Sequence, residues 1–536
     1  MIVNSAVGGH FGERPNASQT ANRFNSMPKN PCRNLIERLP WQFYYWSGVT
    51  ILFAYAAWQR FAVPLDPVAD PDTWGYLSPA LRELTGGAFG HTSGRNFLYP
   101  GFLYLLLRAF GDFRAITVAQ HFLGLLAGGV LLLTWRRTRC FVANPRVSLG
   151  SYHVLGLLAA AIFLLASEPI RLETQLRPEG VCAFLLSINL YVVIQFVACC
   201  FIEDHRLSAA VYGVAAVFTS ILLASTAVLS LPEHFLSHND KVSQTFLPTT
   251  LFVIHANLIR DQMSDDIQRN AKVPYSPEWL GRVHTTLSAE ITKSIAAGPL
   301  RYSTLGFDPD YLMFDRSSIA AQLRNEFGNN LSALCAFYWF YYWRTWQQRP
   351  LAIVEKIGRQ MAVFYTSQCP AYSQRKLWML NGEYSRGVTS LDRKPYRKTW
   401  TAYPPAVEFM RRTELLARSA PVVQQHGYIR KPLAVLAATY LPLLLIALAL
   451  SAVVFLRQER RRRLGWLAAL VLFVYSYNLA SCLEVAVIHS LQNPRYLTVQ
   501  VFFTILAQFL ALWFILEFAL GLRAREKESL ANTDST

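Results

Sequence analysis

The chain has 536 residues, of which 52% are hydrophobic and only 16% are charged. Soluble domains carry roughly a quarter charged residues, so this deficit, with several long uncharged stretches, predicts a polytopic membrane protein and excludes a large soluble helical one. A net charge of +17 would suggest a nucleic-acid partner in a soluble protein. Here much of the excess flanks apolar stretches, where membrane orientation requires it, and we expect no nucleic-acid binding.

The N-terminal segment 1–40 is polar, with Gly, Asn, Pro and scattered arginines, which predicts a disordered cytoplasmic tail. It contains no short apolar stretch followed by a small-residue cleavage site, so we expect no signal peptide. Apolar stretches of the length needed to cross a bilayer then predict an α-helical integral membrane protein with about eight spans. The spans are expected at residues 41–63, 115–135, 149–166, 180–201, 207–229, 432–456, 464–483 and 496–520.

Short loops rich in arginine and lysine predict the orientation of the chain. With eight spans, four basic clusters fall on one side of the membrane, which is therefore expected to be cytoplasmic and to hold both termini. The clusters lie at 14–38, 136–146, 457–463 and 523–527. The missing cleavable signal and the few outer cysteines favour a bacterial inner (plasma) membrane, with the other face towards the periplasm or exterior.

The spans divide the chain into membrane modules and one large outer segment. In the first outer loop, residues 97–110 are apolar but too short to cross, so we expect an interfacial or re-entrant helix there. Asn189 is expected to hydrogen-bond between helices. The predicted parts are an N-terminal membrane module (41–230) with its outer loop (64–114), an extracytoplasmic or interfacial α or α/β domain (231–431), a C-terminal membrane module (432–520) and a cytoplasmic tail (521–536).

The mid-chain domain mixes polar and aromatic residues. The aromatic run at 337–343 predicts a belt at the membrane surface, and residues 351–366 predict a helix lying on that surface. Cys335 and Cys369 either form one disulfide or are two unrelated thiols. Basic residues between 375 and 398 either form a solvated face or touch anionic head groups or an anionic acceptor. The chain has no Cys-x-x-Cys motif and no metal-ligand spacing.

Two aspartates, Asp70 and Asp72, follow the first span at the outer membrane edge, where a carboxylate is costly unless it is solvated, paired or used. Asp72 resembles a helix N-cap, and Tyr76 would lie on the same helix face four residues later. Two interpretations stay open at this point. Either the helix is simply capped and both aspartates are solvated, or a carboxylate is held there for chemistry.

The stretch DTWGYL at 72–77, followed by RNFLYP at 95–100, resembles the first outer loop of GT-C-fold glycosyltransferases of the family-39-like type. The pattern of these enzymes there is an Asp, a Tyr a few residues later, and an Arg-containing segment leading to an aromatic-Pro pair. Two weaker similarities are ETQLRPE at 173–179, which precedes a span, and NPRY at 493–496, which opens a late span. The resemblance covers the two membrane modules and not the domain between them.

The resemblance implies a GT-C-like bundle that moves a sugar from a polyprenyl-phosphate-linked donor to a glycan, lipid or protein acceptor on the outer face of the membrane. A carboxylate can take the acceptor's hydroxyl proton, and arginine pairs bidentately with phosphate oxygens. Asp72 is then the catalytic base or orients the acceptor, and Asp70 assists it or binds a cation. A divalent cation is open as a cofactor because some members of the class need one. The candidate substrate-binding residues are Tyr76, Arg95, Tyr99, Glu173, Glu179, His489, Arg495 and Tyr496.

We expect Asp72 and Arg495 to line one cavity, although more than 400 positions separate them. The candidates also have structural interpretations, namely snorkelling for Arg495, solvation for Arg95 and packing for His489. The glutamates of the 173–179 motif are alternatively ion-paired with the arginines at 171 and 177.

The proposed activity also has alternatives of other classes. A transporter or flippase of lipid-linked saccharides predicts ionisable groups at mid-membrane depth and broken helices. The predicted spans are nearly free of ionisable groups, which favours chemistry at the outer face. A membrane-anchored receptor that binds a ligand through its middle segment would leave the pattern at 72–76 without a role.

Overall fold

The computed structural model of the chain describes residues 39–89, 98–227, 241–298, 302–328, 330–392 and 397–533. Helices dominate this part of the chain, as expected for long apolar segments, because a helix satisfies its backbone N–H and C=O groups internally. The chain divides into two compact units, Met1–Thr50 and Ile51–Thr536. The contacts described below are all within the second unit.

The N-terminal module consists of α1 Leu39–Phe61, α2 Thr73–Leu84, α3 Leu98–Phe110, α4 Arg114–Thr138, α5 Leu149–Leu165, α6 Ser167–Glu173, α7 Glu179–Phe201 and α8 Arg206–Ala227. The short helices α2 and α3 form the outer loop that carries the aspartates. The 13-residue α3 is apolar and too short to cross a membrane. It coincides with the interfacial or re-entrant helix expected at 97–110.

The mid-chain segment is also helical, with α9 Lys241–Ile254, α10 Ala256–Gln268, α11 Pro277–Ala297, α12 Pro309–Phe314, α13 Ile319–Phe327, α14 Leu331–Gln348, α15 Pro350–Phe364, α16 Leu380–Leu391, α17 Arg397–Thr401 and α18 Pro404–Ser419. A small antiparallel sheet pairs β1 Leu377–Met379 with β2 Val422–Gln424, so that Trp378 lies opposite Val423. Side-chain caps begin four of these helices, because an N-cap oxygen satisfies a backbone N–H that the first turn leaves free. The caps are Ser276, Asp308, Ser318 and Asn330.

The C-terminal module consists of α19 Gly427–Leu456, α20 Gln458–Ile488, α21 Pro494–Thr498 and α22 Val501–Thr533. In the described residues, five helical stretches are long and apolar enough to cross a membrane, and the bent pair of α5 and α6 would make a sixth. The five are Arg114–Phe141, Glu179–Phe201, Gly427–Leu456, Gln458–Ile488 and Pro494–Ala524. The helical fold class is confirmed, and these helices support the membrane character. The helices α1 and α8, at two further predicted spans, are not among the five.

Three of the four basic clusters meet at one end of the bundle. The backbone N–H of Ala143 donates to the carbonyl of Arg463 at 3.4 Å, and the guanidinium of Arg146 donates to the carbonyl of Leu520 at 2.9 Å. The buried carboxylate of Glu517 accepts the backbone N–H groups of Arg146 and Val147, both at 2.9 Å. The loops that predicted a common side therefore share one end, while the cluster at 14–38 lies outside the described residues.

The interhelical role expected for Asn189 is confirmed. Its amide donates to the hydroxyls of Thr219 and Ser220 on α8, each at 2.9 Å, and its carbonyl accepts from Tyr477 on α20 at 2.7 Å. One polar side chain thus joins three helices that otherwise meet through apolar surfaces.

Most of the aromatic run at 337–343 lies in a protein core and not on a surface, as a membrane belt would require, and Trp343 is its exposed member. Phe337 and Tyr341 are fully buried and pack with Phe252 and Leu287 in the core of the mid-chain segment. Helices α9 and α10 pack against α14, and Trp279 of α11 contacts Phe337, so aromatic side chains fill the space between these helices. Aromatic residues suit a protein core as well as a membrane surface, and only packing distinguishes the two.

A further mid-chain expectation is corrected, and an alternative that the sequence left open is decided. The helix expected to lie on the membrane surface is α15, but its Lys356 is buried and donates to the carbonyl of Ala486 on α20 at 2.9 Å. It packs against α20, and Gln360 accepts from the Ser490 hydroxyl at 2.9 Å just beyond that helix, while Glu355 and Arg359 stay exposed. Cys335 and Cys369 are both free thiols, so the disulfide is not formed.

The mid-chain segment packs directly on the first outer loop. The indole N–H of Trp74 donates to the carbonyl of Ser390 at 3.0 Å, and the hydroxyl of Tyr384 donates to the carbonyl of Asp66. Gly387 on α16 lies so close to Ala69 that an added Cβ would come within 3.2 Å of its carbonyl oxygen. Helix α16 therefore holds the loop segment that carries Asp70 and Asp72.

Candidate active site

Asp72 stands immediately before α2 but does not cap it. Its side chain makes no capping hydrogen bond, and its backbone N–H donates to the carboxylate of Asp70 at 2.8 Å. The Thr73 hydroxyl accepts the backbone N–H of Asp70 at 2.8 Å, which closes the turn between the aspartates. The interpretation of Asp72 as a simple helix cap was therefore wrong, because the carboxylate points elsewhere.

The carboxylate of Asp72 meets Arg495, as expected, although 423 positions separate the two residues. Arg495 Nη1 lies 3.1 Å from Asp72 Oδ2 and 3.5 Å from Glu179 Oε1. Its Nη2 donates to the hydroxyl of Tyr496 at 3.0 Å, and the guanidinium carbon lies 4.8 Å from the Tyr496 ring centroid. The short helix α21, with Pro494 in its first turn, presents this arginine.

Arg177 is the second cation of the site, and it was not among the candidate residues. Its Nε pairs with Asp70 Oδ2, while Nη2 lies 3.6 Å from Asp72 Oδ2 and Nη1 lies 3.7 Å from Glu179 Oε1. The alternative pairing of Glu179 with the arginine at 177 is thus observed. The signal was present in the sequence, because Arg177 lies inside the same motif as Glu179.

Three carboxylates and two guanidinium groups therefore alternate in what we call the charge cluster: Asp70, Asp72, Arg177, Glu179 and Arg495. Burial lowers the pKa of Arg177 to about 10, with the Glu179 carboxylate acting in the opposite direction, so Arg177 remains a cation at neutral pH. In the described part of the chain, two buried atoms of the cluster have no hydrogen-bond partner, Glu179 Oε2 and Arg495 Nε. A buried polar atom without a partner is costly, and a catalytic role or a bound ion is one explanation for it.

Tyrosines border the charge cluster. Tyr76 and Tyr99 pack edge to face with their ring centroids 5.3 Å apart. Tyr99 donates its hydroxyl proton to Gln120 Oε1 at 3.1 Å, which is a protein contact in place of the expected sugar or phosphate contact. Burial, followed by the nearby Glu179 carboxylate, holds the pKa of Tyr99 well above its ordinary value, so this hydroxyl stays protonated.

His489 lies beside Tyr496, with ring centroids 5.3 Å apart. Its Nδ1 accepts the backbone N–H of Ser490 at 2.8 Å, which leaves the proton on Nε2, 3.8 Å from Asp310 Oδ1. Burial lowers the pKa of His489 to about 4. A neutral His489 thus connects the site to α12 of the mid-chain segment, a contact that sequence reasoning did not find.

Glu173 lies outside the charge cluster. Its carboxylate oxygen Oε2 is 2.8 Å from Arg60 Nε and 2.8 Å from His121 Nδ1, and all three side chains are buried. Arg171, the other partner considered for it, pairs with Glu168 at 2.8 Å. The structure thus gives Glu173 a structural contact in place of the expected substrate contact.

Arg95, the remaining candidate, lies outside the described residues. Across the residues that are described, no group of three or more His, Cys, Asp and Glu side chains is placed to hold a metal ion.

The charge cluster lies at the ends of apolar helices, next to the mid-chain segment. A carboxylate in this position can accept a proton, and guanidinium groups can hold a phosphate by bidentate hydrogen bonds. No protein-family model, no curated protein and no solved structure matches the chain. Any assignment of function therefore depends on the geometry of the site and on the resemblance of its motifs.

Proposed function

We propose that the chain is a membrane glycosyltransferase of the GT-C type. It moves a sugar from a polyprenyl-phosphate-linked donor to a glycan, lipid or protein acceptor at the outer face of the membrane. The single observation that supports this proposal is the contact of Asp72 with both Arg495 and Arg177. It joins three motifs of the resemblance, which are the one at 72–77, the one at 173–179 and the one at 493–496.

In the proposed reaction, Asp72 takes the proton of the acceptor hydroxyl while the acceptor oxygen forms a bond to the anomeric carbon of the donor sugar. The bond between that carbon and the phosphate oxygen breaks, and the electron pair leaves with the polyprenyl phosphate. Arg495 and Arg177 stabilise the departing anion, because their donors match phosphate oxygens. Tyr76 and Tyr496 bind the sugar or phosphate at the border of the cluster.

The proposed topology has eight spans, with α1 and α8 added to the six stretches of crossing length. Both termini and the basic end are cytoplasmic, and residues 231–431 cover the outer end. The membrane is a bacterial inner membrane, and the charge cluster faces the periplasm or exterior. The basic loops that share one end of the bundle support this orientation, because loops rich in arginine and lysine favour the cytoplasmic side.

A second candidate function, transport of a lipid-linked saccharide, is favoured by the 52° bend between α5 and α6, since broken helices are typical of transporter sites. The buried pair of Arg60 and Glu173 lies beside this bend. However, Arg60 is in the last turn of α1 and Glu173 ends α6, so these charges lie at helix ends and not at mid-depth. A transporter would move a fluorescent lipid-linked sugar between the leaflets of reconstituted vesicles without any acceptor.

The test of the proposed function compares glycans in cells that lack the chain and cells that carry Asp72→Asn. Loss of the proposed base should reduce sugar transfer about 10²–10⁴-fold, while the amount of membrane-inserted protein stays the same. The glycan that disappears identifies the sugar and the acceptor.

Asp112→Asn is the matched control. The Asp112–Arg412 pair has side-chain exposures of 28% and 19%, close to the 26% and 18% of the Asp72–Arg495 pair. Asp112 lies between α3 and α4, outside the charge cluster, and its substitution should leave transfer intact. Unchanged glycans in the Asp72→Asn strain, at normal protein level, would exclude Asp72 as the base.

A further inference from the structure

The position of Arg177 depends on a short parallel bridge beneath the charge cluster. The backbone N–H of Val68 donates to the carbonyl of Thr174 at 2.7 Å, and the N–H of Leu176 donates back to the carbonyl of Val68 at 3.0 Å. Val68 and Gln175 are thereby paired in parallel. Asp70 and Arg177 are each two residues further along, so the bridge brings this ion pair together.

Gln120 on α4 hydrogen-bonds to the backbone of the segment that forms this bridge. Its Nε2 donates to the carbonyls of Glu173 and Gln175 at 2.7 Å and 3.0 Å, and its Oε1 accepts the proton of Tyr99 at 3.1 Å. The side chain is fully buried, so water cannot replace these partners. One amide therefore connects α3, α4 and the turn that leads to Arg177.

The same turn is also held through the Glu173 side chain. His121, the next residue on α4, and Arg60 on α1 bind its carboxylate, while Gln120 binds its backbone carbonyl. At Gly124, one turn further along α4, an added Cβ would overlap the Glu173 carboxylate. The start of α4 is therefore shaped to fit this turn.

We propose that Gln120 is a positioning residue that acts through the turn at 173–177. It sets Arg177 opposite Asp70 and Asp72, where Arg177 binds the phosphate of the lipid donor. The role in donor binding rests on the proposed function, whereas the hold on the turn does not.

The test uses Gln120→Met, which keeps the length of the side chain and removes its hydrogen bonds. Gln508→Met is the matched control, because Gln508 is equally buried on α22, accepts from the Tyr372 hydroxyl and donates to the carbonyl of Leu436 at 2.9 Å. Both variants leave buried polar groups unpaired and should lose similar thermal stability in detergent. Only Gln120→Met should change the position of Arg177 in the charge cluster.

Binding of undecaprenyl monophosphate to the full chain in detergent micelles is the first readout. Gln120→Met should weaken it about tenfold, raise the donor KM and lower kcat, because Arg177 also stabilises the departing phosphate, while Gln508→Met should bind as the wild type does. The second readout is amide hydrogen exchange, which should accelerate at Val68 and Leu176 in Gln120→Met alone.

The results distinguish the positioning role of Gln120 from the proposed function. Equal losses of donor affinity in both variants, or unchanged exchange at Val68 and Leu176 in Gln120→Met, would overturn the positioning role. If the wild-type chain does not bind undecaprenyl monophosphate, the proposed function fails, and exchange alone then decides whether Gln120 holds the turn.

Discussion

At the scale of single residues, burial decides what a charged side chain does. Lys356 is 4% exposed, and its ammonium donates to the carbonyl of Ala486 at the end of α20. Desolvation disfavours the charged form and lowers the pKa of Lys356 from its ordinary 10.5 to about 7. A group whose pKa is depressed in the folded state binds fewer protons there than in the unfolded chain. Stability therefore rises with pH between the two pKa values.

Lys356→Met should remove this pH dependence. Between about pH 7 and pH 10.5 the Lys356 contribution to stability of the wild type increases with pH. The gain in stability from Lys356→Met should therefore be largest at or below neutral pH and should shrink as pH approaches 10.5. The midpoints of thermal unfolding of the two proteins in detergent, between pH 7 and pH 10.5, measure this gain. Lys398→Met, at an exposed position, is the control, and a gain independent of pH would contradict the prediction.

At the scale of elements, polar side chains determine how the apolar helices fit together. Asn478 on α20 is fully buried and accepts from the hydroxyls of Tyr440 at 2.8 Å and Tyr365 at 3.1 Å. Its amide donates to Gln500 Oε1 at 3.0 Å, just before α22. The carboxamide thus sets the alignment of α19, α20 and α22, where apolar contacts alone would allow the helices to slide.

Asn478→Leu should therefore destabilise the fold. The substitution leaves the buried Tyr440 hydroxyl and Gln500 Oε1 without this partner, at a cost of about 1–3 kcal/mol for each. It also removes the partner of the half-buried Tyr365 hydroxyl. A lower midpoint of thermal unfolding in detergent measures the loss. Leu479→Val, at the neighbouring exposed position, serves as the control and should change the midpoint little. A midpoint equal to that of the wild type would show that the helices are aligned by other contacts.

At the scale of the whole molecule, the long helices separate two chemically different ends. Helix α20 has 31 residues and runs from the basic loop at 457–463 to His489 beside the charge cluster. At 1.5 Å for each residue it is about 46 Å long, which exceeds the roughly 30 Å of a hydrocarbon core. The helix is thus long enough to place the basic end and the charge cluster on opposite sides of a membrane, as the proposed topology requires.

Labelling from the two sides of the membrane tests this arrangement. A cysteine at exposed Gln458 should react with an impermeant maleimide only in inside-out vesicles, and a cysteine at exposed Ser419 only in intact cells. The unsubstituted chain, with its eight native cysteines, gives the background. Labelling of both positions from the same side would contradict the topology and, with it, the outward position of Asp72.

The sequence by itself determined the helical fold class, the place of the long apolar helices and the meeting of three basic loops. These follow from local composition, because a stretch of some twenty apolar residues has few other stable conformations in lipid. The resemblance of short motifs also led to Asp72 and Arg495, which the structure joins at 3.1 Å. Only the tertiary structure decided that Glu173 is buried with Arg60 and that the aromatic run of α14 fills a core. The physical reason is that the partner of a charged or aromatic side chain depends on which distant segments fold against it, and a single sequence does not specify that contact.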